Sequence, residues 1–111
     1  MSGLIEVSEA DYEAEVVQAG MPVLLDFSAR WCGPCKALLP ALQDVATAFE
    51  GRAKVVKIDI DHSPELASRF GIQGVPTLIL VQGGEERERL PAARTRAQLS
   101  SALEQAIGSD F

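Results

Sequence analysis

The sequence predicts an α/β protein built on a central mixed β-sheet with helices on both faces. Apolar runs of strand length alternate with longer segments whose apolar residues recur at helical spacing. A Gly-Gly pair at 83–84 predicts a hairpin, and therefore an antiparallel pair of strands. The 111 residues are 47% hydrophobic and contain no linker or repeat, so we expect one domain, 1–111, with a substantial core.

The first two predicted elements are a helix and a buried strand. Ser8 followed by Asp11 has the character of a capping box and predicts a helix over 8–19, which Gly20 ends. The continuous apolar run that comes next predicts a strand over 22–28.

The middle of the chain continues this alternation. Apolar residues at helical spacing predict a helix over 34–50, and Pro34 suits its first turn. A strand over 54–60 follows, with three apolar side chains on one side: Val56, Ile58 and Ile60. Ser63-Pro64 then opens a short helix that Gly71 ends.

The last third predicts a hairpin and a closing helix. Strands over 77–81 and 86–90 flank the Gly-Gly turn. Thr95 and Gln98 form a second capping box. The helix behind it has five apolar residues on its buried face: Leu99, Ala102, Leu103, Ala106 and Ile107.

Both cysteines of the chain, Cys32 and Cys35, lie two residues apart between the predicted strand and helix. A structural zinc site needs about four ligands, and the only other soft candidate is His62, so metal binding would require a second chain. A structural disulfide across so short a ring removes little chain entropy from the unfolded state. The remaining interpretation is a reversible dithiol/disulfide pair.

The predicted position of Cys32 favours a reactive thiolate. The positive end of the following helix is expected to lower the pKa of this thiol, and Arg30 and Lys36 act in the same direction. Cys35 lies on the same helical face, closer to the core. We therefore expect an exposed Cys32 to attack and Cys35 to resolve.

Asp26 interrupts a strand that is otherwise apolar. An exposed aspartate at a strand end is the ordinary interpretation, but the apolar neighbours of Asp26 favour burial. Burial of a carboxyl raises its pKa. Such a group can accept a proton from Cys35 near neutral pH, directly or through water.

Taken together, these motifs resemble the thioredoxin family over about 5–107. The matching residues are Trp31-Cys32-Gly33-Pro34-Cys35-Lys36, Asp26, Phe27, Pro40, Lys57, Asp61 and Val75-Pro76-Thr77. The resemblance implies the thioredoxin fold and a protein-disulfide reductase without a bound cofactor. It also implies disulfide-containing substrate proteins and re-reduction by a thioredoxin reductase that uses NADPH.

Further site residues come from the resemblance alone. It implies that Pro76 is cis and faces the cysteines, although X-Pro bonds are seldom cis. It implies that Lys57 approaches the buried acid, where the ordinary interpretation is a solvent-facing strand lysine. The implied substrate-binding rim consists of Trp31, Gly33, Pro34, Gly74, Val75 and Pro76, with the Val75 backbone available to an extended substrate chain.

Two positions depart from the family pattern. Ser28 stands where a large aromatic residue, usually tryptophan, precedes the motif. Pro91-Ala92-Ala93 stands where the family usually has a glycine beside the substrate groove, and Ala92 adds a Cβ there. We expect these changes to narrow the range of partner proteins.

Composition excludes some classes of function and leaves others open. The net charge of −6 argues against a nucleic-acid surface, and Arg87 and Arg89 are interleaved with acids. Residues 1–7 lack the character of a signal peptide and no run reaches membrane-spanning length, so we expect a cytoplasmic protein. We also expect a monomer. A thiol oxidase or isomerase, and a binding subunit with incidental cysteines, are the alternatives.

Overall fold

The computed structural model describes residues 4–90 and 95–108, which include a five-stranded sheet. The strands are β1 (Leu4–Glu6), β2 (Val23–Ser28), β3 (Lys54–Asp59), β4 (Thr77–Gln82) and β5 (Glu85–Arg89), in the order β1-β3-β2-β4-β5. β3 pairs in parallel with β1 and β2, whereas β4 pairs antiparallel with β2 and β5. The helices are α1 (Gly33–Ala48), α2 (Pro64–Arg69) and α3 (Arg96–Gly108). The predicted α/β class with a mixed sheet is confirmed.

The central strand β2 supplies side chains to the core on both faces of the sheet. Leu24 packs with buried residues of α1 and α3, such as Leu42 and Leu103. Leu25 packs on the other face, in the cluster that contains Leu66 of α2. Because alternate residues of a strand point to opposite faces, residues 26 and 28 share the α1 side with Leu24.

The beginning of the chain differs from the prediction. β1 was not predicted; it pairs in parallel with β3. A helix is present within the predicted range 8–19, but it is shorter and of a different type: Glu13–Val17 forms a π-helical turn, in which the Gln18 N–H donates to the Glu13 carbonyl at 3.0 Å. The hydroxyl of Ser8 donates to the Asp11 carboxylate at 3.2 Å, so these side chains stabilise a turn rather than a helical start.

The turn and cap predictions in the second half agree with the structure. Gly83 and Gly84 have φ values of 62° and 83°, which suit a tight hairpin turn. Thr95 and Gln98 cap α3 reciprocally, each backbone N–H donating to the other's side chain at 3.1 Å. Ala92, predicted to lie beside the substrate groove, is outside the described residues.

Candidate active site

The two cysteines form a disulfide at the junction between β2 and α1. Their Cα atoms are 5.3 Å apart. Cys32 is the N-cap of α1, and its Sγ accepts a hydrogen bond from the Cys35 backbone N–H at 3.2 Å. Pro34 occupies the first turn, where a missing N–H leaves no helical bond unmade. The strand-to-helix position predicted for Cys32 is confirmed.

The burial of the cysteines differs from the prediction. Cys32 is 5% exposed and Cys35 is 3% exposed, so the expectation of an exposed Cys32 is wrong for this disulfide-bonded state. The physical reason is the packing around the pair, where Ala29, Ile60 and Val75 cover the two sulfurs.

The segment facing Cys32 contains a cis peptide bond between Val75 and Pro76, as the resemblance implies. The carbonyl oxygen of Val75 lies 3.8 Å from Cys32 Sγ. The Thr77 hydroxyl donates to the Gly74 carbonyl and closes this turn. The turn also lines a pocket of about 400 Å³, to which neither cysteine contributes. A chain that pairs with the Val75 backbone would lie near Cys32 Sγ.

Trp31 stands at the outer side of the same region. Its side chain is 69% exposed, and its Nε1–H donates to Asp61 Oδ2 at 2.8 Å. This bond fixes the indole ring over the surface near Cys32. Gly33 follows on the surface, and a Cβ added to it would meet no atom within 4 Å. Both residues are available to a docking protein.

Asp26 is fully buried, with an exposed fraction of 0%. The alternative of an exposed strand end is therefore wrong. Its register partner on β3 is Lys57, whose side chain is half-buried. Lys57 lines a second pocket of about 370 Å³ together with Cys35. The structure thus places Lys57 beside the predicted acid in the sheet and beside the second cysteine in the pocket.

Asp59 belongs to this region and was missed by the sequence prediction. It is 5% exposed, and its Oδ1 accepts hydrogen bonds from the backbone N–H groups of Asp61 at 2.9 Å and His62 at 3.4 Å. Its Oδ2 lies 3.4 Å from Arg30 Nε. This ion pair offsets the charge with which Arg30 was expected to activate Cys32. The signal in the sequence that could have identified Asp59 is an aspartate at the end of a strand and ahead of a turn.

Two features are absent from residues 4–90 and 95–108, a metal-binding group and a membrane-spanning helix. In this part of the chain, no three His, Cys, Asp or Glu side chains are grouped closely enough to hold a metal ion. None of its helices is both long and apolar enough to cross a lipid bilayer.

Comparisons with known proteins point to one family. The family model Thioredoxin matches residues 3–105. The chain is 38% identical to Thioredoxin 1 of Nostoc sp. over 104 residues, which are 94% of this chain and 97% of that protein. It is 37% identical to Thioredoxin of Haemophilus influenzae over 107 residues, covering 96% of this chain and all of the relative.

A third similarity is to a larger protein. The chain is 40% identical over 103 residues to the Bifunctional thioredoxin reductase/thioredoxin of Mycobacterium leprae. That match covers 93% of this chain and 22% of the relative.

Proposed function

Since this chain belongs to the thioredoxin family, we propose that its thiol–disulfide oxidoreductase chemistry uses Cys32 as the nucleophile and Cys35 as the resolving cysteine. The protein is a disulfide reductase of the thioredoxin type. The observation that carries the assignment of roles is the placement of Cys32 at the N-cap of α1, against the Val75 carbonyl. Cys35 lies one turn further into the helix.

The reaction consists of two exchanges. The Cys32 thiolate attacks one sulfur of a substrate disulfide, and the other substrate sulfur leaves as a thiolate. Cys35 then loses its proton and attacks Cys32 Sγ, which releases the second substrate thiolate and forms the Cys32–Cys35 disulfide. Two electrons pass from the protein to the substrate. The disulfide-bonded structure described above is the product state.

Asp26 and Lys57 are assigned to the resolving step. Asp26 accepts the Cys35 proton, directly or through water, because a buried carboxyl is a stronger base than an exposed one. Lys57 is its register partner and lines a pocket with Cys35, so it acts as a positioning residue for this proton transfer.

The substrate groove comprises the surface around the disulfide. Trp31, Gly33 and Pro34 form one side, and the turn Gly74-Val75-Pro76 forms the other. An extended segment of the substrate pairs with the backbone of Val75, which places its disulfide over Cys32. The resemblance to the family also assigns Ala92 to substrate binding.

The proposal also includes a reductase partner, a cellular compartment and an oligomeric state. A thioredoxin reductase returns electrons to the Cys32–Cys35 disulfide; the name of the Mycobacterium leprae relative, which joins the two activities, supports this pairing. The protein acts in the cytoplasm, where a cysteine pair is more often catalytic than structural. It acts as a monomer with one domain over 1–111. Within 4–90 and 95–108, only two large apolar side chains are exposed, Ile5 and Trp31, which supports a monomeric state.

An insulin-reduction assay tests the assignment. With NADPH and thioredoxin reductase, the wild-type protein should reduce insulin, whereas Cys32→Ser should be inactive. Reoxidation of reduced ribonuclease in a glutathione buffer is the companion assay. Faster disulfide formation there, together with no reduction of insulin, would establish the oxidase alternative.

A further inference from the structure

A pocket of about 370 Å³ is lined in part by the first turns of α1 and is separate from the pocket at the Val75–Pro76 turn. It is lined by Ser28, Ala29, Arg30, Cys35, Lys36, Leu39 and Lys57. None of these residues lines the pocket beside the Val75–Pro76 turn. The volume is within the usual range of about 300–1,000 Å³ for small-molecule sites.

The lining combines an apolar floor with a cationic rim. Ala29 is buried and Leu39 is half-buried, so both present hydrocarbon surface to the pocket. Lys36 and Arg30 are exposed at the mouth and Lys57 is half-buried. Three cationic side chains thus converge in a chain whose net charge is −6. The N-terminus of α1 adds to the positive potential.

None of the acids near this rim lines the pocket. Glu6, the register partner of Lys57 on β1, is exposed. Asp59 pairs with Arg30 and accepts two backbone hydrogen bonds. Asp26, the register partner of Lys57, is fully buried and does not line the pocket. The charged side chains that line the pocket are therefore all cationic.

Ser28 provides an independent indication of a ligand. The residue is 2% exposed, and its Oγ has no hydrogen-bond partner among the residues that the structure describes. Leaving a buried hydroxyl without a partner costs about 1–3 kcal/mol. A ligand with an acceptor atom in the pocket would satisfy this hydroxyl. A large aromatic side chain at position 28 would occupy the same space.

We propose that this pocket is a binding site for a small organic carboxylate with a short apolar chain. The hydrocarbon chain lies against Ala29 and Leu39, and the carboxylate pairs with Lys36 and Lys57. The Ser28 hydroxyl donates to one carboxylate oxygen. The occupant contacts Cys35 in a pocket to which no residue of the Val75–Pro76 turn contributes, so the site does not depend on the roles proposed for the cysteines in reduction.

The test is a titration of the ¹⁵N-labelled, oxidised protein with hexanoate at low ionic strength, followed by amide NMR. Hexanoate should produce saturable shifts confined to the lining residues and their neighbours. Acetate, which lacks the chain, and 1-hexanol, which lacks the charge, should each bind at least about tenfold more weakly, the loss expected for one charge-assisted contact or a few buried methylenes. Binding should weaken at higher salt concentration.

Three variants locate the site. Ser28→Trp should abolish hexanoate binding by filling the pocket. Ser28→Ala keeps the space and removes only the hydroxyl, so it should weaken binding a few fold, and Lys57→Met should weaken it about tenfold. Arg87→Gln, an equal change of charge on β5, is the matched control and should bind like the wild type.

The outcomes that overturn the proposal are distinct. Shifts that stay linear in hexanoate concentration or are scattered over the surface would show that no site exists. Equal affinity for hexanol would refute the role of the cations, and equal affinity for acetate would refute the role of the apolar floor. Unchanged hexanoate binding by both Ser28→Ala and Lys57→Met would also refute the assignment, even if Ser28→Trp did not fold.

Discussion

Replacing Asp26 by leucine should stabilise the folded protein, and the gain should depend on pH. The side chain is fully buried, and burial disfavours the charged form of a carboxyl. We therefore predict that the pKa of Asp26 in the folded state lies above the unfolded value of about 3.9. The native state then binds this proton more tightly than the unfolded chain. The stabilisation from this group is complete below about pH 4 and is lost as the pH rises through the folded pKa.

The magnitude follows from burial and from the neighbouring lysine. Replacing buried charged groups by apolar side chains of similar volume is often neutral or stabilises a protein by about 1–4 kcal/mol. Lys57, the register partner, is half-buried and keeps access to water, so removing the acid leaves no fully buried charge. In a chain of this size each kcal/mol shifts Tm by about 4 °C. Asp26→Leu should therefore raise Tm by about 4–16 °C at pH 8, and by less at pH 4.

Thermal unfolding of the oxidised protein, followed by circular dichroism at pH 4, 6 and 8, measures this effect. Asp26→Asn is the matched variant, since it removes titration while keeping a polar side chain of the same size. Both variants should also slow the decay of a mixed disulfide at neutral pH. A gain that is equal at pH 4 and pH 8, or a lower Tm at pH 8, would refute the argument from desolvation.

Further predictions concern the cysteines, the indole hydrogen bond and the core. In the reduced protein Cys32 should react with iodoacetamide faster than Cys35, and equal labelling of the two thiols at pH 7 would contradict the assigned roles. The Cys35→Ser variant should trap substrates as mixed disulfides, whereas Cys32→Ser should not. Trp31→Phe should lower Tm by about 4 °C because it removes a hydrogen bond worth about 1 kcal/mol at this exposed site. Asp61→Asn keeps an acceptor for the indole N–H, so it should lower Tm by less. Leu42→Ala should lower the free energy of unfolding by about 2–5 kcal/mol in urea titrations, and a loss below 1 kcal/mol would mean that the site collapses readily.

Elements with strong local signals were predictable from the sequence. The apolar run of β2, the glycine pair of the hairpin and the reciprocal cap of α3 each act within a few residues. β1 carries no such signal, because Leu4–Glu6 is three residues long and mostly exposed. It is a strand only because β3 offers a parallel edge.

The candidate site also contains features that the sequence predicts and features that depend on contacts between distant parts of the chain. Cys32, Cys35 and the buried Asp26 follow from spacing and from the apolar residues around them. The burial of Cys32 and the engagement of Arg30 by Asp59 were not predictable, since both depend on packing between separate elements. At Ser28 the sequence could reveal a missing aromatic side chain but not the pocket that the serine lines.

The strand order also has a consequence for synthesis of the chain. β2 lies at the centre of the sheet between β3 and β4, and β4 begins only at Thr77. A nascent chain that has not yet emerged from the ribosome as far as Thr77 can pair β2 with β3, but it leaves the other edge of this apolar strand open. Until β4 emerges, that edge is a target for chaperones and for the same strand of a neighbouring chain on a polysome.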